Sequence, residues 1–211
     1  MICVSLASRD WRECLRECRR HDFVEVRLDL MEVTPAQVRK IFSAHPRLLA
    51  TCRPGRRAPA RRQQLLLAAV EAGAAYLDLE LDSSPAWRRP LVQRARRRGC
   101  RVILSFHDHR GTPGRRALEQ VRLGCFGQGA DVAKIACRVN RPRDNARLLA
   151  LLDYRRPVVV TGMGELGRPT RWLAPLLGSP FTYACLPGKP TAPGQLDHRQ
   201  LARLLRSIGH G

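Results

Sequence analysis

The chain has 211 residues, 38 Lys+Arg against 18 Asp+Glu and a net charge of +20, with 44% hydrophobic but only 5% aromatic residues. That length suits one large core or two small ones, and no apolar run is long enough to span a bilayer. Aromatics are too scarce for a base-stacking platform and the arginines are spread over almost every helix-like segment, so the charge reads as solvated helix faces; neither a nucleic-acid nor a membrane partner is expected.

In chain order, eight apolar strand-like runs are each followed by a helix-like segment. Ile2 to Leu6 is the first strand; it lacks the basic leader and long apolar stretch of a signal peptide, so a cytoplasmic protein is expected. A helix from about Trp11 to Arg20 follows, then a strand from Phe23 to Leu28 and a helix from Pro35 to Phe42. The third strand is Leu48 to Cys52, followed after a Pro54–Arg62 loop by a helix from Gln63 to Ala72. Tyr76 to Leu81 precedes a helix from Trp87 to Arg98, and Arg101 to Phe106 precedes one from Arg115 to Phe126. Val132 to Ala136 leads to a helix from about Arg143 to Leu152, Val158 to Thr161 to one from Thr170 to Leu177, and Phe181 to Ala184 to one from Asp197 to Ile208.

Strict β-α alternation implies parallel strands joined by crossover helices. Eight such units point to an α/β protein of the (β/α)8 TIM-barrel class, a single compact catalytic domain over residues 1–211. An open doubly wound sheet is the alternative, weakened because no GxGxxG opens a helix. In both architectures function lies at the C-terminal ends of the strands. The eight cysteines form no CxxC pair and no zinc-like spacing, and read as reduced, small apolar residues.

The strand ends are chemically rich. The sixth strand, Asp131-Val132-Ala133-Lys134-Ile135-Ala136, places a lysine in an apolar run, in a chain whose 38 cations include just three lysines, Lys40, Lys134 and Lys189. A lysine amine can shed its proton when desolvated and attack a carbonyl, which a guanidinium cannot do. In Glu25-Val26-Arg27-Leu28-Asp29 the period-2 alternation puts three charges on one face, costly unless they pair or serve a ligand. Arg53 ends the third strand; Asp78 and Glu80 alternate on the fourth and rank lower, as a polar core layer. His107 ends the fifth strand, one strand from Lys134, as a proton shuttle, with His109 farther out as a second choice. Glycines around Met163-Gly164 and Gly167 permit close approach to a ligand, and Pro187 to Gln195 forms a Pro/Gly-rich loop long enough for a lid; Gly188-Lys189-Pro190 is no P-loop. A lysine, a histidine, a carboxylate and several arginines make a Schiff-base lyase or aldolase acting on a small anionic carbonyl compound, with no metal set evident.

Five motifs then occur in order: Glu25-x-Arg27-x-Asp29, Ser105-Phe106-His107-Asp108, Asp131-x-x-Lys134-Ile135-Ala136, Met163-Gly164-x-x-Gly167-x-x-x-Arg171 and Ala192-Pro193-Gly194-Gln195. Together they resemble the type I 3-dehydroquinate dehydratase family over essentially the whole chain. The resemblance implies a (β/α)8 barrel, no metal or organic cofactor, and dehydration of 3-dehydroquinate to 3-dehydroshikimate through an imine, a step of the shikimate pathway. It makes Lys134 the Schiff-base lysine, His107 the proton-transfer group and Glu25 the residue that holds and tunes His107. Arg27, Arg53 and Arg171 would bind substrate, with Ser5, Thr191 and Gln195 completing the contacts and Met163 and Tyr183 lining the pocket. A homodimer is common in the family and is expected here. Thr191 replaces a frequent serine, Tyr183 a frequent phenylalanine, and Pro54-Gly55-Arg56-Arg57 stands where many members carry an acidic residue. A class I aldolase, sharing Lys134 without the His107–Glu25 pair, and a basic nucleic-acid-binding protein are the rival readings.

Overall fold

The computed structural model describes residues 1–55 and 57–209. The elements alternate as β1 (Ile2–Leu6), α1 (Trp11–Cys18), β2 (Val24–Arg27), α2 (Pro35–Phe42), β3 (Leu48–Thr51), α3 (Pro59–Glu71), β4 (Tyr76–Glu80) and α4 (Pro85–Arg97). They continue as β5 (Arg101–Asp108), α5 (Arg115–Gly127), β6 (Val132–Arg138), α6 (Arg143–Leu149), β7 (Val158–Met163), α7 (Thr170–Leu176), β8 (Thr182–Cys185) and α8 (His198–Ser207). The eight strands lie in one sheet in the order β7-β6-β5-β4-β3-β2-β1-β8, and β7 also runs beside β8. With a helix after every strand, this is the (β/α)8-barrel topology, as the alternation in the sequence requires.

Local chemistry explains the element boundaries. Asp10 caps α1 by accepting from the Arg12 N–H, and Thr34 with Gln37 makes a full capping box on α2, with Pro35 in the first turn. Helix α3 starts at Pro59, four residues before the expected Gln63. The charged run Arg61-Arg62 reads as loop, yet Pro59 presets the helical φ and Arg62 is buried, its Nε donating to the Cys52 carbonyl at 3.1 Å and its guanidinium 4.6 Å from the Trp87 ring. Strands β5, β6 and β7 each run two residues past their expected ends, through Asp108, Arg138 and Met163. The second strand departs the other way. It stops at Arg27, and Leu28–Leu30 turn as a 3-10 helix. The expected alternation through Asp29 is therefore broken.

By contacts the chain divides into two units, Ser5–Ile103 and Met1–Val4 with Leu104–Gly211. Within Ser5–Ile103 the parallel register pairs Val24 with Leu48 and Val26 with Ala50, and Ala50 in turn with Leu77. These residues are fully buried, as are Ile41, Leu65, Leu66 and Leu91 from the helices of the same unit. Each such aliphatic side chain contributes about 1.5–3 kcal/mol relative to exposure. The opposite face carries Glu25 level with Leu49 and Arg27 level with Thr51, itself level with Asp78. In the other unit Ile135 pairs with Val160 on one face, while Lys134, Ala136 and Arg138 stand level with Val159, Thr161 and Met163 on the other. All eight cysteines are free and buried, as small apolar residues would be.

Candidate active site

In the Ser5–Ile103 unit the polar face of β2–β4 is organised around carboxylates. Glu25 is 4% exposed. Its Oε2 accepts from the Ser5 hydroxyl at 2.5 Å and its Oε1 from the Thr51 hydroxyl at 3.0 Å. A buried carboxylate needs such donors, because desolvation otherwise penalises its charge. Arg27 grips Asp29 through two bonds, Nε to Oδ1 at 3.0 Å and NH2 to Oδ2 at 2.7 Å. The 3-10 turn is what swings Asp29 back onto Arg27, so the pair is made by the end of the strand and not by its alternation. Burial works to lower the Arg27 pKa, but the Asp29 bond and the Glu25 and Asp29 charges leave it raised. Arg53 reaches Asp78 at 3.1 and 2.6 Å and Glu80 at 2.6 Å. Its pKa is also raised: against the cost of burial stand Asp78, Glu80 and Glu25. Asp78 and Glu80, ranked low from the sequence, are thus the fixed seat of Arg53. Arg57 bonds the Met31 carbonyl and sits 3.6 Å from Glu32, so this departure braces the loop before α2; its neighbour Arg56 lies outside the described residues.

The other unit holds the amine. Lys40 and Lys189 are exposed and Lys134 is 6% exposed, so one lysine in the chain is buried. Its Nζ stands 4.1 Å from the centroid of the Tyr183 ring, whose π face favours a cation. Tyr183 is 4% exposed and packs edge-on against Phe181 at 5.5 Å. His107 lies within β5 and not beyond it, half-buried, its ring stacked on that of His109 at 6.2 Å. Met163, the last residue of β7, is buried at the level of Arg138.

Arg171 is the electrostatic anomaly of this unit. It is 2% exposed, yet its guanidinium meets just two carbonyls, Tyr183 and Pro193, each at 3.3 Å, and its Nε has no hydrogen-bond partner among the described residues. Burial pushes its pKa down to about 10, with Arg168 adding like-charge repulsion. A buried cation with no carboxylate partner is costly, and an anionic ligand would relieve it.

The Pro187–Gln195 loop lies over this arginine. Gln195 Oε1 accepts from Thr191 N at 2.6 Å, Thr191 Oγ1 at 3.0 Å and Ala192 N at 3.1 Å, so the amide oxygen closes the loop on itself. The Gln195 amide NH2, with no partner among the described residues, is left as a donor for a ligand. Gly194, at φ +74°, comes so near the neighbouring loop that a Cβ there would lie 2.5 Å from the Gly164 carbonyl oxygen. No side chain larger than hydrogen fits that approach.

The structure therefore clusters Ser5 and Glu25, along with Arg27 and Arg53, on the polar strand ends of one unit. In the other it clusters Lys134 with Tyr183, and Arg171 with the Thr191–Gln195 loop. Sequence reasoning missed Thr51, whose hydroxyl completes the support of Glu25. Its signal was available: it stands level with Arg27 on the polar face of the next strand.

Taken together, a (β/α)8 topology, polar strand ends and a single buried strand lysine define an enzyme built for carbonyl chemistry on an anionic compound. The model of the Type I 3-dehydroquinase family matches residues 2–211, and the chain belongs to that family. It is 36% identical to the 3-dehydroquinate dehydratase of Thermococcus gammatolerans over 97% of each chain. Among solved structures it resembles the 3-dehydroquinate dehydratase of Geobacillus kaustophilus, with a TM-score of 0.84 and 26% identity over 99% of this chain and 92% of that one. That of Aquifex aeolicus gives a TM-score of 0.83 and 25% identity over 99% of both chains.

Proposed function

We propose that this family member dehydrates 3-dehydroquinate to 3-dehydroshikimate through an imine on Lys134, as a hydro-lyase of the shikimate pathway. The hydro-lyase class comes with the family; the residue roles rest on the family motifs and on the environment of each side chain. The observation that carries the reading is the burial of Lys134 in a chain that uses arginine almost everywhere else.

The substrate's own functional groups dictate the chemistry. The Lys134 amine adds to the C3 ketone and water leaves, giving a protonated imine. That cation is an electron sink, so a C2 proton becomes acidic enough for His107 to remove. The resulting enamine expels the C1 hydroxyl, which takes the proton back from His107 and departs as water. Hydrolysis of the conjugated imine consumes the water first released, frees the product and restores the amine. The net change is loss of one water. Positioned acid–base transfer of this kind typically accelerates a step by roughly 10²–10⁴-fold.

Glu25, held by Ser5 and Thr51, is assigned to orient His107 and keep it basic. Arg171 is assigned to the substrate carboxylate, since it is the most deeply buried guanidinium among the described residues and meets two carbonyls, each at 3.3 Å, with its Nε left without a partner. Arg27 and Arg53 are assigned to the substrate through whatever donor capacity their ion pairs leave. Gln195 and Thr191 close the lid loop over it, while Met163 and Tyr183 line the pocket. The two units act as one catalytic domain, residues 1–211, and a cytoplasmic homodimer is the working form, the dimer resting on the family resemblance. Among the described residues no helix is long and apolar enough to cross a membrane.

The test is borohydride reduction with 3-dehydroquinate present, followed by mass spectrometry. A stable adduct on Lys134 that is absent from Lys134→Ala establishes the imine and the substrate together. A folded protein that turns over 3-dehydroquinate but yields no adduct sinks the imine assignment.

A further inference from the structure

The end of β7 and the start of α7 are joined by one side chain that the proposed mechanism leaves unused. Thr170, the first residue of α7, is fully buried. Its Oγ1 accepts from the Gly162 N–H at 2.8 Å and donates to the Gly167 carbonyl at 2.8 Å. Both bonds are short and both roles of the hydroxyl are used. The backbone between them is folded back on itself. A Cβ on Gly167 would stand 2.3 Å from the Gly162 carbonyl carbon, and one on Gly162 would stand 2.8 Å from Gly167 Cα. Two glycines let the chain make this approach, and the Thr170 hydroxyl ties the loop there.

The residue after Thr170 is Arg171. The guanidinium's two bonds to carbonyls are each 3.3 Å, at the long limit for N–H···O contacts, and its Nε makes none. Such contacts orient a side chain weakly, so the place of the guanidinium is set mainly by where its helix begins. We propose that Thr170 is a positioning residue for Arg171, fixing the first turn of α7 so that the guanidinium presents its free edge to the substrate carboxylate. The proposal rests on Arg171 being the carboxylate-binding residue. The same hydroxyl ties the start of α7 to the residue before the pocket residue Met163, and the Met163 carbonyl in turn accepts from Val139 N at 3.1 Å.

The experiment is a double-mutant cycle with steady-state kinetics on 3-dehydroquinate, each variant checked for folding by circular dichroism. Thr170→Val keeps the shape and removes both bonds; KM should rise roughly tenfold with kcat changed far less, the pattern of lost ground-state binding. Thr170→Ser keeps the hydroxyl and should restore KM. In an Arg171→Met background Thr170→Val should raise KM no further, because the two act as a unit. Independent multiplication of the two effects, or a Ser variant as poor as Val, overturns the proposal. If Arg171→Met raises KM but folded Thr170→Val does not, the positioning role alone falls. If Arg171→Met leaves KM unchanged, the carboxylate assignment falls and takes the proposal with it. Should Thr170→Val not fold, Thr170→Ala, which adds no volume, takes its place in the same cycle.

Discussion

Lys134 could be singled out from the amino-acid sequence because the chain is so poor in lysine, and its burial now gives that scarcity a physical meaning. The partners of the other charged residues could not be read in the same way. Glu25 was visible as an inward charge, but its two hydroxyl donors come from residues 20 and 26 positions away, and distances of that kind are set by strand register. Arg171 shows most sharply how burial penalises a charge that has no carboxylate partner among the described residues. Its folded pKa, about 10, lies below the ordinary guanidinium value. The ionised guanidinium therefore costs stability below about pH 10, and that cost fades as pH rises through this value. Arg171→Met should leave the ligand-free protein at least as stable as wild type at pH 7, because an apolar chain of similar size replaces an uncompensated buried charge. The same variant should raise KM for 3-dehydroquinate at least roughly tenfold, the loss of about one charged hydrogen bond. Thermal unfolding at pH 7 and steady-state kinetics check the two halves; a variant that is both less stable and fully active contradicts the assignment.

Among the elements, helix α2 was legible to the residue, since Thr34, Pro35 and Gln37 carry a complete start signal. Strands run beyond their expected ends, as past Ala136, because the following residues still pair with the neighbouring strand, Cys137 with Gly162 and Arg138 with Met163. Strand β2 fell short because Asp29 gains more from two bonds to Arg27 than from continuing the alternation. Helix α3 was hidden at its start by arginines that turned out to be packed, and at its end it carries Glu71, which binds Arg94 of α4 and Arg98, the residue that caps the end of α4. The bonds from Arg94 and then Arg98 hold the Glu71 carboxyl down at about 2, against an ordinary 4.5. A depressed carboxylate stabilises above its unfolded pKa and loses that contribution as pH falls toward the folded one. Glu71→Gln should therefore lower the unfolding midpoint at pH 7 by a small, salt-sensitive amount, the pair being exposed, and the difference from wild type should vanish near pH 2. Urea titrations at the two pH values test this; a difference that persists in acid means that packing and not the ion pair ties α3 to α4.

For the molecule as a whole, the proposal of one catalytic domain has its own test in the tryptophans. Trp11 and Trp87 report on the Ser5–Ile103 unit and Trp172 on the other. Variants that keep Trp172 alone or Trp11 alone should give coincident urea curves, as a two-state domain does; separated midpoints would show two independently folding units. The sequence by itself determined the class of fold, because eight repeats of an apolar run and an amphipathic segment leave few ways to bury every apolar face. It also determined the family, because five short motifs in a fixed order identify a chemistry even when each is weak. The tertiary structure decided the pairings: Arg53 with Asp78 and Glu80, Glu25 with Ser5 and Thr51, and Arg171 with carbonyls in place of a carboxylate. The reason is that a charge's partner depends on register, on where a strand ends and on how closely two glycines let the backbone approach. Those quantities exist only once distant parts of the chain are packed together.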